Sequence, residues 1–254
     1  MSLSRDEAAI ISAREIVDSG LFYLKSRNNP EDHQIFLYDL AHASSALAIA
    51  ESFLTYSDKG NEEKEIVELF LADSLRSIAG MSFGREEIWG IPKSALENLN
   101  NYVSVHGTPQ KYSQVSSYRP QSHLSDEMEL VAETFRRFGK EHIEDHAEKV
   151  HREDLDVPEE IIHGLAKLGC FGLSIPEEYG GSAAGAINDM YGMVVATEEL
   201  SRTSLSIGGS LITRPEILAR AIERGGTEEQ KKSLLPKIAS GDLMSAVAVT
   251  EPDH

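Results

Sequence analysis

Apolar positions recur along most of the chain at steps of three and four, the spacing that lays side chains along one face of a helix. Ile10, Ala13, Val17, Leu21 and Leu24 set out the first such face. The stretch NNPEDH interrupts it. HQIFLYDLAHASSALAIAESFLTY follows as a second helix, rich in Ala and Ser, which let neighbouring helices approach closely. SDKGNEEKE then turns the chain, and Val67, Leu71, Leu75 and Ile78 mark a third helix. Helices of this kind predict an antiparallel bundle, or part of one, over residues 1–90.

From about Gly90 the pattern lapses. HGTPQKYSQVSSYRPQS is polar, with two prolines, several serines and no regular apolar period, which predicts a linker over 91–121. Helices resume over 122–242. Met128, Val131, Phe135 and Phe138 form a stripe; Pro158 suits the start of the next helix, with Ile161, Leu165 and Leu168 behind it and Gly169 placed to stop it. FGLSIPEEYGG reads as a loop, and Ile187, Met190, Tyr191, Val194 and Val195 begin another helix. Thr227 and Gln230 have capping-box spacing and open a last helix that ends at Ser240-Gly241. Only Ala246-Val247-Ala248-Val249 has the character of a buried strand, so 243–254 reads as the start of a β domain. The expected fold class is mainly α, a helical bundle extension followed by a second helical domain.

The net charge of -18 narrows the partners. A surface this acidic repels phosphate backbones and anionic lipid, which argues against nucleic acid and membrane surfaces. The single cysteine, Cys170, excludes an internal disulfide and a multi-thiolate zinc site, and fits a reducing compartment. MSLSRDEAAIISAREI carries acids where a presequence is basic, and no apolar run approaches the roughly 20 residues that span a bilayer. A cytoplasmic location is expected.

Few side chains stand out chemically. His142 and His146 lie four apart, with Glu141, Glu144 and Asp145 among them, but no Glu follows the first His, and a solvated charged face is the better reading than a metal site. Gly180-Gly181, Gly208-Gly209 and Gly225-Gly226 lack dinucleotide or P-loop spacing and fit turns or close packing. Cys170, between Gly169 and Phe171, reads as a small buried thiol rather than a nucleophile. Arg214 lies in the largely apolar GGSLITRPEILARAI, where a guanidinium is costly unless it meets a carboxylate or reaches the surface. Composition alone favours a structural pair with Glu216 or another nearby acid.

Taken in order, GLSIPEEYGG, VVATEELSR, GGTEEQKKSLLPKIASGD and AVAVTEP resemble the acyl-CoA dehydrogenases from about Leu124 to His254. The resemblance implies an N-terminal helical domain leading into a β domain that the sequence breaks off within, and a C-terminal four-helix domain beyond it. It implies FAD as cofactor, an acyl-CoA substrate, electron-transfer flavoprotein or a similar acceptor as partner, and a homo-oligomer when full length. In that family a proton leaves the carbon alpha to the thioester and a hydride leaves the beta carbon for FAD.

By resemblance Val247, Val249 and Thr250 line the flavin, where a Thr250 hydroxyl suits charge that builds on the reduced ring. Ile212, Thr213 and Arg214 match the helix closing the acyl end of the substrate pocket. The family's base is a glutamate from the C-terminal domain, expected beyond His254. No catalytic role therefore falls to Glu198, Glu199 or Glu251, and the chain by itself is expected to be inactive.

The long helical extension, and SIGGSLITRPEILARAI with its Arg, resemble the group of (2S)-methylsuccinyl-CoA dehydrogenases. A short branched or dicarboxylic acyl-CoA is then the expected substrate, with Arg214 meeting its free carboxylate. The alternatives are a general short-chain acyl-CoA dehydrogenase in which Arg214 is structural, a split enzyme, and a non-catalytic helical partner-binding protein.

Overall fold

The computed structural model of the chain describes residues 4–183, 187–246 and 248. The chain divides into two units, residues 1–123 and 124–254.

In the first unit, Ser4 starts α1 (Arg5–Lys25) with a reciprocal capping box. Its hydroxyl accepts from the Glu7 amide at 3.1 Å, and the Glu7 carboxylate accepts from the Ser4 amide at 2.8 Å. α2 (Gln34–Phe53) and α3 (Asn61–Ser82) follow, and Val67, Leu71, Leu75 and Ile78 are buried as their spacing predicts. On α1 the buried face differs from the expected one. Leu21 is exposed, while Ile16 and Gly20 face inward. A Cβ at Gly20 would stand 2.8 Å from Leu40 Cδ1 and 3.1 Å from the ring of Trp89, which closes the short α4 (Glu86–Trp89). The small residue is what allows the indole into the core.

The linker expected over 91–121 is not one. α5 (Lys93–His106) takes the fourth place in a bundle, packing on α1 and α3, which both also pack on α2. Ala95, Leu99 and Tyr102 enter the core at steps of four and three. α6 (Pro109–Val115) is then held to α3 by polar contacts. Arg76 donates to the Tyr112 hydroxyl and to the Gly107 carbonyl, each at 2.9 Å. Lys111 Nζ lies 3.0 Å from Glu65 and 3.4 Å from Glu68, and the Tyr118 hydroxyl donates to Glu65. His123 Nε2 meets Glu63 at 2.6 Å. The polar residues that suggest a linker instead satisfy the acidic face of α3.

This seam has an acid limit. The hydrogen bond from His123 holds the Glu63 carboxyl below the usual carboxylate range, and those from Tyr118 and Lys111 do the same for Glu65. A carboxyl lowered on folding stabilises the fold above its unfolded value of about 4.3, and that contribution disappears as pH falls through the lowered value. Denaturant midpoints should therefore be level from about pH 7 to 5 and fall below about pH 4. In Glu63→Gln the fall should be shallower, and an identical profile for variant and parent would contradict the assignment.

In the second unit, Ser125 caps α7 (Asp126–Phe138) by accepting from the Met128 amide. A π turn over Gly139–Ile143 leads into α8 (Glu144–Glu153), and α9 (Glu159–Lys167) follows. Gly169 ends α9 with φ +73°, as predicted, although Leu168 is exposed rather than inward. FGLSIPEEYGG folds as a tight loop closed by one parallel bridge, Pro176 to Ala183. The remaining helices are α10 (Ile187–Thr203), α11 (Ser210–Gly225) and α12 (Glu228–Ala239). α12 begins with the predicted capping box of Thr227 and Gln230.

Phe135, Phe138, Ile161, Leu165, Leu200 and Ile207 anchor the main core of this unit. α10 begins at Ile187 as predicted and presents Met193, Val195, Ala196 and Leu200 inward, whereas Met190, Tyr191 and Val194 are exposed. A smaller core of Ile175, Ala219, Ile222, Leu235 and Ile238 joins α11 to α12. Of the strand expected at Ala246–Val249, the described residues Ala246 and Ala248 are irregular, as are 243–245 before them. Val247 and 249–254 lie outside the described residues.

Candidate functional site

The candidate acyl end of the site is the first half of α11. Ser204 caps a second π turn, Leu205–Gly209, by accepting from the Ile207 amide at 3.3 Å, and α11 continues directly from that turn. Its glycines are required by contact rather than by ligand binding. A Cβ on Gly208 would lie 2.7 Å from the Leu200 carbonyl oxygen, and one on Gly209 only 2.0 Å from Ser201 Oγ. The wide turn is thereby pressed against α10. Five residues into α11, Pro215 has no N–H to donate to the Leu211 carbonyl, so the helix is irregular twice within a short span.

The three residues expected at the acyl end separate by burial. Ile212 is 1% exposed and belongs to the main core, so it supports the helix from behind. Thr213 is half-buried, and its hydroxyl donates to the Ser210 carbonyl at 3.2 Å. Arg214 is exposed. Its expected structural partner is taken: Glu216 binds Arg220 at 3.1 Å, one helical turn further on. Among the described residues no carboxylate lies within ion-pair distance of Arg214. A cation at the mouth of this turn is thus available to an anion from outside the helix.

Val247, Val249 and Thr250 lie outside the described residues, as does Glu251. Their approach is visible. Gly241 turns the chain after α12 with φ +78°, the Leu243 amide donates to the Lys237 carbonyl at 2.9 Å, and the Ser245 hydroxyl donates to the Arg214 carbonyl at 3.0 Å. Ala246 and Ala248 are exposed.

The two glutamates of the VVATEELSR motif have structural partners. Glu198 pairs with Arg202 at 3.2 Å on the exposed face of α10. Glu199 is 4% exposed and is held by Arg136 of α7 through two hydrogen bonds, Nε to Oε2 at 3.0 Å and Nη2 to Oε1 at 2.6 Å. Those bonds and the charge of Glu199 push the Arg136 guanidinium above its ordinary value. Sequence reasoning missed this clamp, because the partners are 63 positions apart and no local spacing connects them. Burial likewise pushes the Cys170 thiol well above the usual thiol range, which suits a packing role. His142 packs on the Phe138 ring with centroids 4.8 Å apart.

Residues 125–242 match the family model described as acyl-CoA dehydrogenase, N-terminal domain. This matched part of the chain holds the helices of the second unit. The chain is 45% identical over 132 residues to (2S)-methylsuccinyl-CoA dehydrogenase of Cereibacter sphaeroides, a match covering 52% of this chain and 23% of that protein. It is 33% identical over 165 residues to the mitochondrial isovaleryl-CoA dehydrogenase of Solanum tuberosum, covering 63% and 36%. It is 32% identical over 130 residues to acryloyl-CoA reductase (NADH) of Anaerotignum propionicum, covering 51% and 32%. The matched part thus spans only between 23% and 36% of the length of these relatives. Among the described residues no helix is long and apolar enough to cross a membrane.

Proposed function

We propose that the chain supplies the N-terminal helical domain of a flavin-dependent acyl-CoA dehydrogenase whose substrate is a short dicarboxylic acyl-CoA of the methylsuccinyl-CoA kind. The observation that carries the substrate class is Arg214, exposed at the candidate acyl end while Glu216 is occupied by Arg220. A guanidinium that has no partner within its own helix gains most from a ligand carboxylate, which it meets by charge-assisted hydrogen bonds. A fatty acyl chain offers nothing to it. The reading also draws on the match to the Cereibacter sphaeroides protein, whose name specifies methylsuccinyl-CoA.

In this reading residues 247–250 would hold FAD, which would supply a hydride acceptor for the beta carbon. Arg214 holds the distal carboxylate and so fixes which carbon stands beside the flavin. Arg214 follows the wide turn over Leu205–Gly209 on a helix that Ile212 anchors in the core. The base that removes the alpha proton comes from protein outside this chain, and the chain alone does not turn over. The electrons taken from the substrate would pass from the cofactor to electron-transfer flavoprotein or a similar acceptor, and the working enzyme is a cytoplasmic homo-oligomer in this reading.

The reading of Arg214 as a structural residue of a general short-chain dehydrogenase is weakened by the Glu216–Arg220 pair, which removes its nearest candidate partner. The test is the native protein purified from its source. Its extracted cofactor should be FAD, and its acyl-CoA turnover with an artificial electron acceptor should favour methylsuccinyl-CoA over butyryl-CoA. A native protein free of flavin would overturn the proposal.

A further inference from the structure

The outward face of α2 has the composition of an inward one. A helix that is apolar or neutral all round is ordinarily covered on every side. α2 packs on α1 and α3 and buries Phe36, Leu40 and Leu47 there. On its opposite face Ile35, Tyr38 and Ile49 are 74%, 66% and 56% exposed. The charged residues of α2, Asp39 and Glu51, are half-buried at the edges and are paired with Arg85 and Arg14. α1, by contrast, exposes Arg5, Glu7, Arg14, Glu15 and Asp18. In a chain of net charge -18, a whole helix face without a charge marks a surface that is not built for water.

The exposed positions also have an order. Ile35, Tyr38, His42, Ser45, Ile49 and Ser52 follow one another at alternating steps of three and four, the spacing of a seam between two helices. Exposed Ala41 and Ala48 flank it, and their small side chains let a second helix come close. We propose that this seam is an interface between two copies of the chain, with α2 packed antiparallel on α2 about a two-fold axis at the seam's midpoint. Turned end for end, the seam fits itself. Tyr38 meets Ile49 of the partner subunit, Ile35 meets Ser52 of the partner subunit, and His42 meets Ser45 of the partner subunit, each contact occurring twice.

The polar members find partners in this arrangement. Among the described residues neither the His42 ring nor the Ser45 hydroxyl has a hydrogen bond within the chain, and His42 is held beside Tyr38 with ring centroids 4.4 Å apart. A parallel pair would instead set the bulky residues of one end on each other and leave the serines of the other end facing a gap. Charge selects a second copy as the occupant. Two chains this acidic repel over most of their surface, and the neutral face of α2 is where they approach at least cost. A basic partner helix would find no exposed acid on α2 to pair with. The seam is about 27 Å long, which is short for a permanent interface and gives reversible association in the micromolar range. The proposal concerns the first unit and stands whether or not the dehydrogenase reading does.

The experiment is sedimentation equilibrium of the full chain, its Tyr38→Lys and Ile49→Glu variants, and an equal mixture of the two variants. The parent should approach twice the mass of one chain between about 1 and 100 μM. Each variant carries its mismatch twice in a symmetric pair, so dimerisation should weaken by roughly 100-fold or more. Both positions are exposed, so circular dichroism and thermal midpoints should match the parent. In the mixture one end of the seam is restored and the other sets an ammonium against a carboxylate, and the dimer should return. Variants that had merely misfolded would not recover on mixing. A parent that stays monomeric through 100 μM would overturn the proposal. So would a dimer that neither substitution weakens, which places the contact elsewhere. A mixture that stays monomeric would rule out antiparallel pairing of two copies, leaving the face to a different partner.

Discussion

Arg214→Met, in the flavin-loaded native enzyme, should lower kcat/KM for methylsuccinyl-CoA by roughly 10- to 150-fold and for butyryl-CoA by less than about threefold. The larger loss is that of a hydrogen bond to a charged group, worth about 1.5–3 kcal/mol. Methionine keeps the length and apolar stem of the side chain, so packing around the exposed position changes little. Selectivity rather than overall loss is what distinguishes the two roles for Arg214. A guanidinium that only supported the helix would lower turnover of both substrates together. Here Glu216 and Arg220 already pair with each other, leaving Arg214 without a support function of that kind. Arg214→Lys should recover only part of the loss, because an ammonium cannot reproduce the planar fork.

Arg136→Ala should destabilise the second unit by roughly 2–3 kcal/mol, lowering its thermal midpoint by about 5–10 °C. The cause lies with the partner. Glu199 is nearly inaccessible, and removing its main cation leaves a carboxylate in a poorly solvated place. The cost is below that of a wholly buried pair because the Arg136 side chain is 54% exposed and Arg202 Nε remains 3.7 Å from Glu199. Replacing both partners, as Arg136→Met with Glu199→Met, should recover more than half of the loss, since no charge is then stranded. Calorimetry of the two variants checks both statements. A double variant less stable than Arg136→Ala alone would show that the pair contributes more than it costs to bury.

The second unit was legible where local rules decide. The capping box of Thr227 and Gln230, the stop at Gly169 and the buried Phe135 and Phe138 each follow from spacing of a few residues. Tertiary contact overrides the pattern elsewhere. Met190, Tyr191 and Val194 mark α10 as a helix but not which of its faces is buried. Leu21 gives way to Gly20 because Trp89, far along the chain, needs the space. In the 91–121 stretch the serines and prolines mask the helical period that Ala95, Leu99 and Tyr102 carry. Its lysine and tyrosine contacts to α3 leave no local trace, as their partners lie on a separate helix.

The site was legible in a different way. Arg214 could be singled out from its apolar neighbours, but composition favoured a partner, Glu216, that the fold gives to Arg220. Ser245 carried no signal at all. A serine in MSAVAVTEP has no distinguishing neighbour, and its acceptor is a carbonyl supplied by a helix that ends well before it. Hydrogen bonds to distant main chain are set by the path of the chain, which only the folded structure shows.

The most direct measurement is anaerobic titration of the native enzyme with methylsuccinyl-CoA and, separately, butyryl-CoA, following the visible absorbance of its flavin. The account predicts bleaching by methylsuccinyl-CoA at markedly lower concentration than by butyryl-CoA. Equal sensitivity to both, or bleaching by butyryl-CoA alone, would contradict it.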